Sequence, residues 1–519
     1  MKITIRMIRY ALAVSLSSTA LLACHAPEQP AIAAPVAETR NIENPSPVAK
    51  TPVYRSARRI SSDCGVVRAP LPFPGLAPVA HAEVGEMGER TANSLAIGAD
   101  RPMVETDLDR VAPGYTVVAP VTIKEKFIID NNNVVVGGFE GDYFAGHTEI
   151  LANGDRFGAS SAYHDRFRGG GRNGCAERYA ADGTLLWRVS MSDENYLGHH
   201  DVALLENGNF LAIVWDQVST DEAVSQGRNP DNVSESGEFW YGGVIEVNPY
   251  TMEVVWEWSV RHHLVQDFDP AQRNYGVVAE HPELIDINRF ERNQRDGSVN
   301  ADWTHFNSID YNPELDQILL SSPTMSEVWI IDHSTTPWES MGHTGGRHGN
   351  GGDLIYRWGN PQNYRRGSAD DRQLFGQHDA QWVRPGLPGA GNVLVFNNGD
   401  YDVRPYTTIV EFTAPMAADG RYIAEQGQAY GPTELRWEYS PEPPARFFSW
   451  FISGVQRLPN GNTLINHGAA GRLREVTATG DIVWEYEYSG VHDVPYMFFR
   501  ANKYPPDHPG ILEHLYEAD

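Results

Sequence analysis

Cysteine is almost missing from this chain: there are three in 519 residues, at Cys24, Cys64 and Cys175. That scarcity excludes a metal centre of the usual four-thiolate kind. Positive charge is also short, with 41 Lys and Arg against 68 Asp and Glu and a formal net charge of −27. Such a balance repels phosphate backbones and argues against nucleic acid as a partner. The apolar stretch at the N-terminus, Ala11 to Leu22, is too short to span a bilayer.

Lys2, Arg6 and Arg9 precede that stretch, the charged-then-apolar layout of a secretory signal over residues 1–23. It closes on Leu21-Leu22-Ala23-Cys24, which resembles the lipobox of bacterial lipoproteins and assigns Cys24 as the acylated first residue of the mature chain. An ordinary signal cut beside an unrelated cysteine is the alternative. Either way the protein is expected outside the cytoplasm, as a periplasmic or surface-exposed lipoprotein of the cell envelope that touches membrane through its lipid alone. Residues 24–61 are rich in Ala, Pro, Glu and Val and read as a flexible tether. In an oxidising compartment Cys64 and Cys175 could bridge the first ordered segment to a later loop, or stay as two buried thiols.

The remainder repeats two phrases. One is an Asn-Gly turn followed by an apolar run, at Asn153-Gly154, Asn207-Gly208 and Asn460-Gly461, with Gly391-Asn392 as a looser copy. The other is an alternating strand ending in tryptophan: Leu185-Leu186-Trp187, Val254-Val255-Trp256-Glu257-Trp258, Leu354-Ile355-Tyr356-Arg357-Trp358, Leu435-Arg436-Trp437 and Ile482-Val483-Trp484. Each pair of phrases brackets one antiparallel sheet. Such a sheet cannot hide both faces alone, and stacking copies around an axis solves this, so the expected fold is an all-β, six-bladed β-propeller over residues 111–519. Five blades fall at about Asp142–Val189, Tyr196–Val260, Asp302–Asn360, Phe375–Ser440 and Phe451–Ser489. Gly114–Phe139, completed by the C-terminal segment, is the candidate for the sixth. Residues 261–299 lack the repeat and read as an excursion that could form a lid, or as a plain decorative loop. Residues 62–110 read as an irregular or small β N-terminal extension.

Aligned on the inner hairpin, a histidine recurs seven positions before the turn: His200 before Asn207, His305 before Asn312, and His378 before Pro385 of the enlarged Pro-Gly-Leu-Pro-Gly turn. Ser453 holds the same place before Asn460, and His147 lies six before Asn153. Equivalent positions on inner strands face one end of one channel, so His200, His305 and His378 are expected to converge. Imidazoles clustered near an axis carry a desolvation penalty unless they bind or transfer something; inheritance from a duplicated blade is the other explanation. His467 ends the second inner strand of its blade, and the turn Gly468-Ala469-Ala470-Gly471 could bring Arg472 to an anion. Asn307, Gln377, Asp201 and Asp379 flank the histidines. By strand alternation the two aspartates face away from them, to pack blades or to orient a neighbour's histidine. Trp303, Trp382 and Trp450 could line an aromatic pocket or simply pack between blades.

Taken together, His199-His200-Asp201 with Glu206-Asn207-Gly208-Asn209, Asp302-Trp303-Thr304-His305-Phe306-Asn307, Ser326-Glu327-Val328-Trp329-Ile330-Ile331-Asp332, Gly376-Gln377-His378 and Gln456-Arg457-Leu458-Pro459-Asn460 resemble the bacterial arylsulfate sulfotransferases. The resemblance runs from about Gly114 to Tyr486. It implies a six-bladed propeller that moves a sulfuryl group from a phenolic sulfate ester to a phenol acceptor, with no nucleotide donor, no metal and no other cofactor. It implies His378 as the nucleophile that becomes a sulfohistidine, with His200 and His305 as catalytic partners that hold sulfuryl oxygens and exchange protons. His467, Asn307 and Arg472 are the expected substrate-binding residues. One departure stands out. Where family members carry an arginine after a Ser-Ser pair, this chain reads Ser321-Ser322-Pro323, so that Arg472, Arg357 or His467 must substitute, or the substrate or the chemistry differs. Two other classes compete: a propeller enzyme using the histidines for a metal or for acid and base cleavage of an anionic polysaccharide, and a surface binding propeller without catalysis.

Overall fold

The computed structural model describes Ile60, Cys64 and residues 104–516, apart from 122, 142–147, 162–166, 168–169, 195, 290–297 and 489–496. The signal, Cys24, the tether apart from Ile60, most of the N-terminal extension and His147 lie outside the described residues; Ile60 is buried and its N–H donates to Met252 O at 2.9 Å.

The Asn-Gly turns behave as their chemistry requires. Gly154, Gly208 and Gly461 have φ of 85°, 86° and 89°, a left-handed conformation that glycine adopts without a Cβ penalty and that tight hairpins need. Each folds an inner strand onto the next: Thr148–Ile150 onto Arg156–Ser160, Tyr196–Leu204 onto Phe210–Ser219, and Gly454–Arg457 onto Thr463–His467. The tryptophan phrases supply the outermost strands, Leu185–Ser190, Glu253–Ser259, Tyr356–Trp358, Trp437–Tyr439 and Ile482–Glu487. Six four-stranded antiparallel sheets result, and the protein is a six-bladed β-propeller.

The inner strands of blades one to five are Thr148–Ile150, Tyr196–Leu204, Ser308–Asn312, His378–Trp382 and Gly454–Arg457. The closing blade has the order Phe498–Tyr504, Tyr115–Pro120, Glu125–Ile129, Val135–Glu140. Its innermost strand thus comes from the C-terminal end of the chain and pairs antiparallel with the first strand, Tyr115 opposite Tyr504 and Val117 opposite Asn502.

Apolar packing lies between blades rather than in one central core. Leu211, Tyr241 and Trp258 of blade two join Ile309, Leu320 and Trp329 of blade three; Val328 and Trp358 of blade three join Trp382 and Phe412 of blade four. Each fully buried aliphatic or phenylalanine side chain contributes about 1.5–3 kcal/mol. Neighbouring inner strands are also pegged by carboxylates: Ile309 N donates to Asp201 (2.9 Å), Trp382 N to Asp310 (2.8 Å) and Val455 N to Asp379 (2.8 Å).

Cys64 and Cys175 are joined, with Cα atoms 5.8 Å apart, which ties the N-terminal segment to the third strand of blade one. The described part of the 261–299 excursion packs on blade three. Leu354 N donates to Glu283 O, and the buried Arg357 guanidinium donates to Leu284 O at 2.9 Å.

Candidate active site

The channel histidines sit where inner strands break register. The ladder of blade two shifts between Gly198 and Val202, and that of blade four between His378 and Gln381. At these bulges His200 has φ 56° and Asp379 φ 51°, while His305, just before its strand, has φ 45°. Positive φ in non-glycine residues costs about 1–3 kcal/mol each and gathers at functional sites. A bulge also re-aims side chains relative to the pleat. The rings of His200 and His305 meet edge to face with centroids 4.6 Å apart. His199 joins them, its Nδ1 2.8 Å from that of His200 and its ring stacked on Trp215 at 4.1 Å.

Each imidazole has a distinct electrostatic setting. His378 Nδ1 lies 2.9 Å from Asn398 Oδ1 and 3.1 Å from Gly376 O, both acceptors, so Nδ1 carries the hydrogen. Its Nε2 then bears a lone pair and accepts the Ile452 N–H at 3.2 Å. Burial is the largest influence on His378 and takes it down to about 4, so the ring is neutral near pH 7. Burial also lowers His305, but the Asp302 carboxylate, in contact with its Nδ1, overrides this and raises it. Asp302 is itself held by the Trp215 indole N–H at 2.9 Å. His200 falls well below its ordinary value through burial, with the charge of His305 adding to the effect. A cation-favouring imidazole thus stands beside two neutral ones, the kind of divergence that separates acid from base in catalytic sites. The His305 side chain is 25% exposed, which opens the group to solvent.

Arg500, from the innermost strand of the closing blade, holds two aspartates that each follow a register histidine. It grips Asp201 with two nitrogens, at 3.0 and 2.7 Å, and approaches Asp379 at 2.8 Å. Its charge reaches both His200 and His378. Asp379 and Arg500 of this ion group themselves line a cavity of about 440 Å³, together with Glu149, Asp310, Arg384, Gln456 and Tyr504 and with none of the histidines.

The other expected site residues take different places. Asn307 is fully buried and gives its Nδ2 to Gln377 O at 2.8 Å, so it braces the backbone of His378. His467 is buried, directs Nε2 to Phe448 O at 3.2 Å and sits edge to face with Phe447. Arg472 contacts Glu487 at 2.5 Å, and Arg357 is sealed against Glu327 at 2.5 Å. Arg357 is therefore a structural ion pair and leaves no guanidinium for a substrate. Ser321 and Ser322, the pair before Pro323, also serve the frame: Ser322 Oγ donates to Thr304 O, and Ser321 Oγ accepts from Gln377 Nε2. Trp303 and Trp382 lie in interblade clusters. Trp450 is 39% exposed, lies tilted against Phe451 with ring centroids 4.3 Å apart and sits 6.0 Å from Tyr401, two residues before the Ile452 amide that touches His378. Among the described residues, the channel histidines do not bring three ligand atoms within 4.8 Å of one another.

Sequence reasoning missed Asn398, Arg500, the role of Asp302, and Gly171, whose carbonyl accepts the His200 N–H. Asp302 precedes His305 by three residues within Asp302-Trp303-Thr304-His305, and that spacing is its signal in the sequence.

Likeness to solved structures is distant. A protein of unknown function from Bacteroides caccae is 12% identical with a TM-score of 0.40, over 75% of this chain and 98% of that one. Virginiamycin B lyase from Staphylococcus aureus is 8% identical with a TM-score of 0.34, over 75% of this chain and 89% of that one. No curated protein matches the sequence. The family model for arylsulfotransferase (ASST), in contrast, matches residues 124–503, a span that takes in His200, His305, His378, Asn398 and Arg500. The chain belongs to the arylsulfotransferase (ASST) family.

Proposed function

We propose that the protein transfers a sulfuryl group from a phenolic sulfate ester to a phenol through a sulfohistidine on His378. The observation that carries this reading is the state of that ring: neutral, with Nδ1–H held by Asn398 and the lone pair on Nε2. Nε2 attacks sulfur, the S–O bond to the aryl group breaks, and the leaving phenolate takes a proton from His305. An incoming phenol then returns its proton to His305 as its oxygen attacks sulfur and the N–S bond breaks. No nucleotide takes part. Family membership supports the sulfotransferase class.

Pro323 removes the arginine expected over the sulfuryl oxygens, and Arg500 is committed to Asp201 and Asp379. Charge stabilisation in this reading comes from the His305 cation, with the Ile452 N–H as a backbone donor once its 3.2 Å contact to Nε2 is released. Trp450, Phe451 and Tyr401 offer a platform for an aromatic ring. In this proposal the reaction takes place in the cell envelope, with residues 1–23 as a secretory signal and Cys24 as the lipid anchor.

The test is a chromogenic aryl sulfate supplied with and without a second phenol. Ping-pong kinetics, phenol-dependent turnover and a sulfuryl adduct on the peptide carrying His378 are expected, all lost in His378→Ala. Turnover that survives His378→Ala, or an adduct on another residue, overturns the assignment.

A further inference from the structure

A second histidine group lies in the wall of blades two and three. His263 follows the outer strand of blade two, while His343 and Asp353 flank the loop Gly342-His343-Thr344-Gly345-Gly346-Arg347-His348-Gly349-Asn350-Gly351-Gly352-Asp353. Asp353 Oδ1 lies 2.8 Å from the Nδ1 of His263 and 2.8 Å from the Nδ1 of His343. One ligand atom from each residue falls within 4.8 Å of the other two.

The hydrogen-bond pattern calls for a positive centre between them. His263 Nε2 is 2.9 Å from Ser340 O; a carbonyl only accepts, so Nε2 carries the hydrogen, and Nδ1 faces Asp353 either through a second proton or with a lone pair. Asp353 Oδ1 presents only lone pairs. A positive centre, a proton or a metal ion, must therefore lie between Nδ1 and Oδ1 at 2.8 Å, and the same oxygen faces a second imidazole. A ring that gives its far N–H to a backbone carbonyl while its near nitrogen faces a carboxylate is the usual orientation of a metal-ligating histidine. Two imidazoles and one carboxylate suit a d-block ion, above all zinc.

The surroundings are built to hold this ring in place. His263 is fully buried and stacks on Trp258 with planes 8° apart, and the Trp258 indole donates to Gly352 O at 2.7 Å. A Cβ on Gly352 would fall 2.1 Å from Ser340 O and 2.7 Å from the His263 ring, so glycine is required there. The His343 side chain is 57% exposed, leaving a coordination position for water. Adjacent His262 has a buried Nδ1 with no hydrogen-bond partner, its ring centroid 6.4 Å from that of His263. We infer that His263, His343 and Asp353 form a zinc site that clamps the glycine-rich loop of blade three to the end of blade two. A tetrahedral ion with bonds of about 2.0–2.2 Å enters if each 2.8 Å contact opens by about half an ångström. The ion would offset the large conformational entropy that a loop so rich in glycine loses on ordering.

The test uses the purified full-length protein, stripped with a chelator and titrated with Zn²⁺ against a chromophoric competitor, with Co²⁺ as a spectroscopic stand-in. One equivalent is expected, with Co²⁺ absorption of a four-coordinate nitrogen and oxygen site and a raised Tm. Exposed His343→Ala, and separately Asp353→Asn, should weaken binding at least tenfold while the apo protein keeps its circular dichroism. His378→Ala should leave the stoichiometry unchanged, which separates this site from the channel histidines. Binding no tighter than that of His343→Ala, or lost instead in His378→Ala, overturns the inference and leaves protons as the bridging cations.

Discussion

His378 Nδ1 rests 2.9 Å from Asn398 Oδ1, and Asn398 is turned that way because its own Nδ2 donates to Ser449 O and Ile452 O, at 2.7 and 2.9 Å. An amide anchored by two carbonyls can offer the imidazole only its oxygen, so the tautomer of His378 is set by the backbone of the neighbouring loop.

Asn398→Leu should therefore lower kcat by about 10–100-fold, the equivalent of about 1–3 kcal/mol for a buried hydrogen bond left unmade, with a smaller change in KM. Nitrogen-15 NMR of labelled histidine should show the Nε2–H tautomer of His378 gaining population. A positioning role is refuted if kcat falls while the tautomer ratio stays put.

The pH profile of kcat/KM should be bell-shaped. His378 must be neutral, and burial takes it to about 4, so the acid limb lies near that value. His305 must be protonated, and Asp302 raises it above its ordinary range, so activity fades as pH climbs through that raised value. Asp302→Asn should move the alkaline limb to lower pH and spare the acid limb; an unmoved alkaline limb would assign it to another group.

Stability should fall on acidification as well. Burial takes His467 to about 3 and His378 to about 4, below the 6.5 of an unfolded histidine. Between those values the unfolded chain binds more protons than the folded one, so stability drops as pH falls from about 6.5 toward 4. His305 has the opposite sign: its contribution is complete below the unfolded value and is lost as pH rises through its raised folded value. Calorimetry from pH 8 to 4 checks the sum, expected as a declining Tm on the acid side.

Gly171→Ala should disable the site. A Cβ there would lie 2.2 Å from the His200 ring, at a φ of +74°. Gly208→Ala is the control, because Gly208 has a φ of +86° and nothing within 4 Å of the added carbon. Both variants should lose similar stability to backbone strain, while Gly171→Ala alone loses turnover, by more than tenfold. Equal turnover in the two would remove Gly171 from the account.

Arg500→Met should destabilise the fold by about 3–5 kcal/mol, the range for removing one partner of a buried ion group, because Asp201 and Asp379 would remain as uncompensated carboxylates. Urea denaturation measures this. A triple variant that also carries Asp201→Asn and Asp379→Asn should recover much of the loss.

The blades and the three register histidines were legible because both rest on short-range spacing: an Asn-Gly turn fixes the inner hairpin, and a residue counted back from it falls at one height in the channel. Arg500 was not legible, since its strand has no hairpin of its own and pairs with Tyr115–Pro120 from the far end of the sequence. Asn398 was hidden for a related reason. It follows the second strand of blade four, in no repeated phrase, and reaches His378 only through the pairing of His378 with Phe396. Arg472 looked available beside a small-residue turn, but Glu487 of the adjacent strand engages it, a cross-strand contact that linear spacing does not reveal.

Because the closing blade takes its innermost strand from residues 498–504, a growing polypeptide has neither a sealed ring nor the guanidinium that neutralises Asp201 and Asp379 until that strand has been made. A product ending before residue 498 would carry all three register histidines and leave Asp201 and Asp379 without their guanidinium. The closure of the ring and the neutralisation of its two channel aspartates are thus a single event, made by one strand.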